Sequence, residues 1–257
     1  MGDKPLKAIV IGASSGIGRA VAKALAARGD TVAVTARRVN CLEALNRDTG
    51  GKLLVRGMDL CLPEEAAAVF EELVRDMGGA DLVVVNSGVN RPNFDLGWPE
   101  EIETVRVNVV GFMAIADAAG RYFLARGKGH LAAVSSIAGL RGSGRSPAYA
   151  ASKSFMSVYL DGLRQRFSRT SIAVTDIRPG FVDTAMLEGR RNLFWMASPE
   201  RAASQILEAL DKKKRVAYVT RRWAIAAFLL RRIPNRLYDW GFWKVIEADR
   251  AEKVRGT

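Results

Sequence analysis

Lys7-Ala8-Ile9-Val10-Ile11-Gly12-Ala13-Ser14-Ser15-Gly16-Ile17-Gly18-Arg19 is the stretch on which the reading of this chain turns. A short apolar run enters a turn holding three glycines, and a helical pattern, Arg19 to Arg28, follows at once. Glycines permit the tight turn and let backbone approach a bound group, while a helix N-terminus offers free N–H groups and partial positive charge. Gly12, Ser14, Ser15, Gly16, Ile17 and Gly18 are therefore expected to cradle an anion, a pyrophosphate above all. The G-x-x-x-G-x-G spacing differs from the more familiar G-x-G-x-x-G, and glycines in a turn can be purely structural. Their place at the first strand-to-helix turn favours binding.

Outward from this turn, apolar runs alternate with helical segments along the chain. Strands are expected at 7–11, 31–35, 52–57, 81–86, 130–135, 172–177 and 215–219, and helices near 16–28, 63–76, 100–126, 147–168 and 199–210. Pro63, Pro147 and Pro199 stand where helices start. The strand runs are nearly continuous in apolar residues, as when helices cover both sheet faces. The expected fold is α/β, a Rossmann-like doubly wound parallel sheet of seven strands with helices on both faces. Residues 1–220 form the nucleotide-binding catalytic unit, and 221–257 a basic, aromatic-rich helical extension of the same domain. The weakly periodic segment 183–197 reads as a mobile loop over the site.

Composition sets the outer bounds. Of 257 residues 49% are hydrophobic and 26% charged, which suits a globular core and excludes general disorder. Two cysteines, Cys41 and Cys61, are too few for a disulfide framework and belong to no C-x-x-C motif, so free thiols in a reducing, cytoplasmic setting are expected. Met1 to Lys7 lacks the pattern of a secretory leader. The net charge of +12 is uneven: residues 211–257 carry 13 Lys/Arg against 5 Asp/Glu. His130 has no neighbour at ligand spacing, so no metal is expected. Asp81 and Asp176 border strands, where solvent or a cap accounts for them.

After the second strand stand Thr35-Ala36-Arg37-Arg38. An NAD site usually places an acid here for the ribose 2′-hydroxyl, whereas arginines offer bidentate, permanently charged donors to a 2′-phosphate. NADP(H) is the expected cofactor; the competing reading is a solvated basic helix cap.

Tyr149-Ala150-Ala151-Ser152-Lys153 puts a phenol and an ammonium at i and i+4, on one face of a helix. A phenol with a pKa near 10 is a poor proton donor at neutral pH, and a nearby ammonium favours its phenolate. Such a pair alone could be no more than a helix face. With the glycine turn in the same order and spacing, the sequence over about residues 6–220 resembles the short-chain dehydrogenase/reductase family.

That resemblance implies that Tyr149 is the general acid/base, that Lys153 holds the nicotinamide ribose and tunes the tyrosine, and that Ser136, rather than Ser135, orients the substrate carbonyl. It implies that Asn108 holds a water in the proton relay behind the lysine. Asp59 and Leu60 would edge the adenine, Asn86, Ser87 and Gly88 the adenosine, and Pro179, Gly180, Val182 and Thr184 would position the nicotinamide. Ile11-Gly12 and Val85-Asn86-Ser87-Gly88 depart from the family's Thr-Gly and Asn-Asn-Ala-Gly, which touches loop bracing more than hydride transfer. The implied reaction is reduction of a ketone or aldehyde, or oxidation of a secondary alcohol, on a small hydrophobic, lipid-like or acyl substrate by a homodimer or homotetramer. A sensor or scaffold that binds NADP(H) without turnover is the rival from another class.

The tail contains Trp223 to Leu230, eight apolar residues between arginine pairs, then Trp240, Phe242 and Trp243. At about 1.5 Å per residue this spans roughly 12 Å, too short for a bilayer core of roughly 30 Å. Two readings stay open: a helix packed on the sheet or on a second subunit, and peripheral contact of 221–243 with the anionic inner face of a membrane. No nucleic-acid motif accompanies the basic residues.

Overall fold

The computed structural model describes residues 5–187 and 193–243. The chain alternates as β1 (Lys7–Ile11), α1 (Gly16–Ala27), β2 (Thr31–Ala36), α2 (Val39–Asp48), β3 (Leu53–Gly57), α3 (Pro63–Asp76) and β4 (Leu82–Val85). It continues as α4 (Trp98–Val105), α5 (Phe112–Arg126), β5 (Lys128–Val134), α6 (Pro147–Arg166), β6 (Ser171–Pro179), α7 (Pro199–Asp211), β7 (Val216–Val219) and α8 (Trp223–Leu230), with a further helical stretch over 235–243. The seven strands are all parallel, in the order β3-β2-β1-β4-β5-β6-β7. This is the doubly wound sheet expected from the sequence.

Neighbouring residues of one strand serve opposite cores. Ile9 and Ile11 face a layer with Phe70, Phe112, Phe123 and Met156, from α3, α5 and α6. Ala8 and Val10 face the other layer, with Leu25, Leu42 and Ile206 from α1, α2 and α7. Both faces are buried, so the strands carry apolar residues without alternation. Pro63, Pro147 and Pro199 open α3, α6 and α7, where a missing N–H costs no intrahelical bond.

Three expectations need correction. The helix expected over 100–126 is two helices joined by a π turn, Arg106–Gly111, which brings Gly111 against Leu60: a Cβ there would lie 2.3 Å from the Leu60 carbonyl oxygen. Helix α2 escaped notice because only Leu42 and Leu45 anchor it, too few to print a period. Asp176 does not border its strand but sits inside β6, fully buried, with Arg178 Nε donating to it at 2.6 Å and Ser135 Oγ also donating to it. A carboxyl group buried in an apolar layer needs such partners to replace the water it has lost.

The loop expected over 183–197 is partly tied down: Val182 pairs with Ala197 as an isolated bridge, and Ala185–Leu187 forms a short 3-10 turn. Residues 188–192 of that segment, and 244–257 of the tail, lie outside the described residues. Among the described residues the run Trp98–Arg126 is long and apolar enough to cross a membrane, but it packs on α3 and α6 as a core element.

Candidate active site

The strand order reverses between β1 and β4, and a crevice opens beyond the carboxyl ends of the strands at that point, where open α/β sheets bind ligands. It has a volume of about 860 Å³. Every site residue expected from the sequence lines it except Gly18 and Asn108, which stand behind its wall.

On the nucleotide side, the glycines are required by close approach. A Cβ on Gly18 would lie 2.2 Å from the Gly12 carbonyl oxygen, so α1 can start against the β1 turn only without a side chain there. Gly12, at φ 87°, and Gly16, at φ 56°, adopt left-handed backbone that glycine takes without strain. Asn86 Nδ2 donates to the Gly12 carbonyl at 2.8 Å, so this residue braces the turn as well as lining the crevice. Thr184 closes over from the opposite wall, its Cγ2 2.8 Å from where a Cβ on Gly16 would be.

The two arginines do different things. Arg38 Nη2 donates to both Ser14 Oγ and Ser15 Oγ at 3.1 Å, binding the end of β2 to the glycine turn. Arg37 is exposed and lines the crevice with Asp59. Asp59 Oδ1 in turn accepts the Cys61 N–H at 2.9 Å. Open glycine backbone at a helix start, two guanidinium groups and two serine hydroxyls gather at one end of the crevice, donors of the kind that phosphate groups accept from.

On the reacting side, Ser136 caps the 3-10 turn Ile137–Leu140, its Oγ accepting the Ala138 N–H at 3.0 Å. Gly139 of that turn packs on α6, where a Cβ would sit 2.6 Å from the carbonyl carbon of Lys153. This close approach sets Ser136 on the same stretch of crevice wall as Tyr149. Ser135 is unavailable, since its hydroxyl is used by Asp176 and the Ile177 carbonyl.

Burial pushes the Tyr149 phenol above its ordinary value, and the nearby Ser136 side chain pulls it partly back. Lys153 is almost completely buried and donates to the Val134 carbonyl at 2.8 Å. Burial lowers it to about 8, against an opposing pull from Asp176. Its Nζ lies 5.8 Å from the centre of the Tyr149 ring, over the face rather than at the hydroxyl. In this state desolvation, not the ammonium, governs the phenol.

Asn108 lies in the π turn, fully buried. Its side chain takes the Val89 N–H and gives to the Val89 carbonyl, each at 2.8 Å, and gives to Ser152 Oγ at 3.0 Å. It thereby holds the segment after Gly88 against Lys153: a Cβ on Gly88 would lie 3.2 Å from Lys153 Nζ and 3.3 Å from Asn108 Oδ1.

Sequence reasoning missed part of the wall. Arg141 and Arg145, from the Gly/Ser-rich loop between Ser136 and Tyr149, line the crevice, as do Leu230, Tyr238 and Phe242 of the tail. Arg141 donates to the Ile233 carbonyl at 3.0 Å and Asn235 Oδ1 at 2.9 Å, and stacks 4.5 Å from the centre of the Tyr238 ring. A turn-rich loop placed between a serine and a tyrosine of one site was the available signal. Further out, Phe181, Phe194, Trp195 and Trp223 form an aromatic cluster with ring centres 5.2–5.6 Å apart.

A parallel sheet with a nucleotide-shaped crevice and a phenol, hydroxyl and amine at one end defines a class of dinucleotide-dependent oxidoreductases. The family model described as short chain dehydrogenase matches residues 7–193, and the chain belongs to that family, whose members act on alcohol and carbonyl groups with NAD or NADP. It is 31% identical over 242 residues to an uncharacterized oxidoreductase of Mycobacterium tuberculosis strain H37Rv, covering 90% of this chain and 95% of the relative. It is 32% identical over 186 residues to a 3-oxoacyl-[acyl-carrier-protein] reductase of Escherichia coli K12, covering 70% and 74%. The structure is similar to a short-chain dehydrogenase/reductase of Burkholderia phymatum in complex with NAD, with TM-score 0.81 at 17% identity over 89% of this chain and 94% of that one. An alcohol dehydrogenase of Thermococcus sibiricus complexed with 5-hydroxy-NADP gives TM-score 0.73 at 24% identity, covering 84% and 95%. At these identities the structural likeness speaks to the fold.

Proposed function

We propose that this oxidoreductase reduces a ketone or aldehyde with NADPH and runs the reverse oxidation of a secondary alcohol with the same groups. The observation that carries the reading is the placement of Ser136, Tyr149 and Lys153 on the wall of one crevice that also holds Arg37 and Arg38. When bound, the nicotinamide supplies hydride to the carbonyl carbon. Gly12, Gly16, Ile17 and the start of α1 would hold the pyrophosphate, with Gly18 allowing α1 its close approach. Arg37 and Arg38, with Ser14 and Ser15, would hold the 2′-phosphate. Asp59 and Leu60 would edge the adenine, with Asn86, Ser87 and Gly88 beside the adenosine. Pro179, Gly180, Val182 and Thr184 would seat the nicotinamide, and Lys153 its ribose.

Tyr149, kept protonated by burial, gives its proton to the carbonyl oxygen as negative charge gathers there. Ser136 donates to the same oxygen and fixes its position. The Lys153 ammonium then stabilises the phenolate, and water restores the proton. Asn108 acts as a positioning residue, because its side-chain hydrogen bonds go to Val89 and Ser152. Residues 221–243 belong to the same unit and close the crevice through Leu230, Tyr238 and Phe242. Exposed Val110, Met113 and Val158, on the π turn, α5 and α6, support pairing of these helices across a two-fold axis in a homo-oligomer.

The test is titration with NADPH and with NADH by nicotinamide fluorescence, beside turnover of a panel of soluble ketones and aldehydes. Tyr149→Phe is expected to retain NADPH binding and lose about 10²- to 10⁴-fold in turnover. Binding of neither cofactor would overturn the reading. Equal affinity for both would overturn its NADP(H) part.

A further inference from the structure

The tail has two different faces. Along α8, Trp223 and Ala227 are buried and Leu230 lines the crevice. The opposite face shows Ile225, 63% exposed, with Phe228 and Leu229, each more than half exposed. The helical stretch 235–243 repeats the arrangement, with Tyr238 and Phe242 lining the crevice while Leu237, Trp240 and Trp243 point outward, each more than half exposed. Phe194, 63% exposed, continues the patch through its contact with Trp223, ring centres 5.2 Å apart. A helix as apolar all round as Trp223–Leu230 belongs in a protein interior or against lipid, and among the described residues only one side of it is covered.

Charge decides what covers the other side. Arg222, Arg231, Arg232 and Arg236 are exposed around the apolar patch, Arg221 is paired with Glu208 of α7, and Asp239 is the one carboxylate between 221 and 243. Arg232 stacks its guanidinium on the Phe228 ring, 3.6 Å from the ring centre, so a positive charge sits against the apolar patch. A second copy docking by a two-fold axis would set this patch against itself and bring the arginines of both copies together. An anionic lipid surface takes both components, apolar side chains into the acyl boundary and arginines among the headgroups.

We infer that the outer face of residues 223–243, with Phe194, docks on an anionic membrane and seats the mouth of the crevice there, so that the enzyme takes its carbonyl substrate from the lipid phase. One segment thus supplies the membrane face and, through Leu230, Tyr238 and Phe242, the apolar wall the substrate meets. The substrate part rests on the carbonyl reduction proposed above; the docking part does not.

The experiment is co-sedimentation of the full chain with vesicles of phosphatidylcholine, with and without phosphatidylglycerol. Binding is expected to need the anionic lipid and to weaken with salt. Arg231→Gln with Arg236→Gln should lower the partition coefficient by about thirtyfold, at about fivefold per arginine lost. Ile225→Ser with Leu229→Ser should lower it as well, while leaving turnover of a short water-soluble ketone unchanged. A long-chain ketone carried in the anionic vesicles should be reduced by the wild type and much more slowly by either double variant. Wild-type protein remaining in the supernatant would overturn the docking, as would variants that bind equally. A lipid-free oligomer that dissociates in the Ile225/Leu229 variant would assign the face to a subunit interface instead. Vesicle binding with no turnover of any carbonyl would leave the docking standing and remove the reductase reading.

Discussion

The indole of Trp223 stands so close to the backbone of Gly180 that a Cβ on residue 180 would lie 2.0 Å from its Cε2. The first residue of α8 is thus seated on the segment after β6 that carries Gly180 and Val182. Gly180→Ala must push the indole out of a filled site, an overpacking change costing about 1–3 kcal/mol. Chemical denaturation should show that loss together with weaker cofactor binding. Adding Trp223→Leu should restore part of the stability; no restoration would mean the strain lies in the backbone of residue 180 itself.

Arg38 bridges Ser14 and Ser15 at 3.1 Å each, and Arg37 lines the crevice without repeating those contacts. If both face a 2′-phosphate, Arg37→Ala should weaken NADPH about tenfold or more, the worth of a hydrogen bond to a charged group, and leave NADH unaffected. Arg38→Ala should weaken both cofactors, because it also loosens the glycine turn. Equal losses for the two cofactors in Arg37→Ala would remove that residue from the recognition of phosphate.

Lys153 is held at about 8 by burial, so its charge is lost within an accessible range. Cofactor affinity that depends on the ammonium should fall as pH rises through about 8, measured by NADPH fluorescence titration. Stability should move the other way. The unfolded chain binds more protons than the folded one between about pH 8 and the ordinary lysine value, so folding is favoured as pH rises across that window. A flat affinity profile would show that the cofactor does not meet the charged form.

His130 is lowered to about 4 by burial, with Lys213 adding to the effect. Thr175 Oγ1 donates to the Lys214 carbonyl at 2.6 Å, so in its contact with His130 Nε2, at 2.8 Å, the threonine accepts and the neutral ring carries its proton on Nε2. A folded value below the unfolded one means that stability is intact above about pH 6.5 and is lost as pH falls toward 4, by up to about 3 kcal/mol. Denaturation midpoints across that range should show the loss in wild type and a smaller one in His130→Gln.

Gly88 separates Lys153 Nζ from Asn108 Oδ1, and a Cβ there would meet both at 3.2–3.3 Å. Gly88→Ala should shift the lysine and reduce kcat about tenfold or more with little change in global stability, since small misplacement of a reacting group is costly. Unchanged kcat would place the reacting groups beyond the reach of this contact.

The glycine turn, the proline-led helices and the Tyr149–Lys153 spacing were legible because each is local: a turn needs its own glycines, a helix face its own i and i+4 residues. Apolar runs likewise announced seven strands, since burial on both faces leaves no room for polar alternation. Helix α2 was illegible with two apolar anchors, and the π turn at Arg106–Gly111 carries no period that distinguishes it from the helices on either side.

What the sequence determined alone is the order of elements, the place of the glycine turn and the chemical groups beside it, because backbone preference and hydrophobic period act over a few residues. Tertiary structure decided which groups meet. Ser135 and Ser136 are adjacent in the chain, yet the hydroxyl of one is consumed by Asp176 of β6 while the other lines the crevice with Tyr149 of α6. Trp223 to Leu230 is apolar throughout, and only packing against Gly180 and the crevice assigns one face inward and leaves the other outside. Those outcomes rest on contacts between residues far apart in the chain, which local pattern does not encode and the close-packed interior fixes.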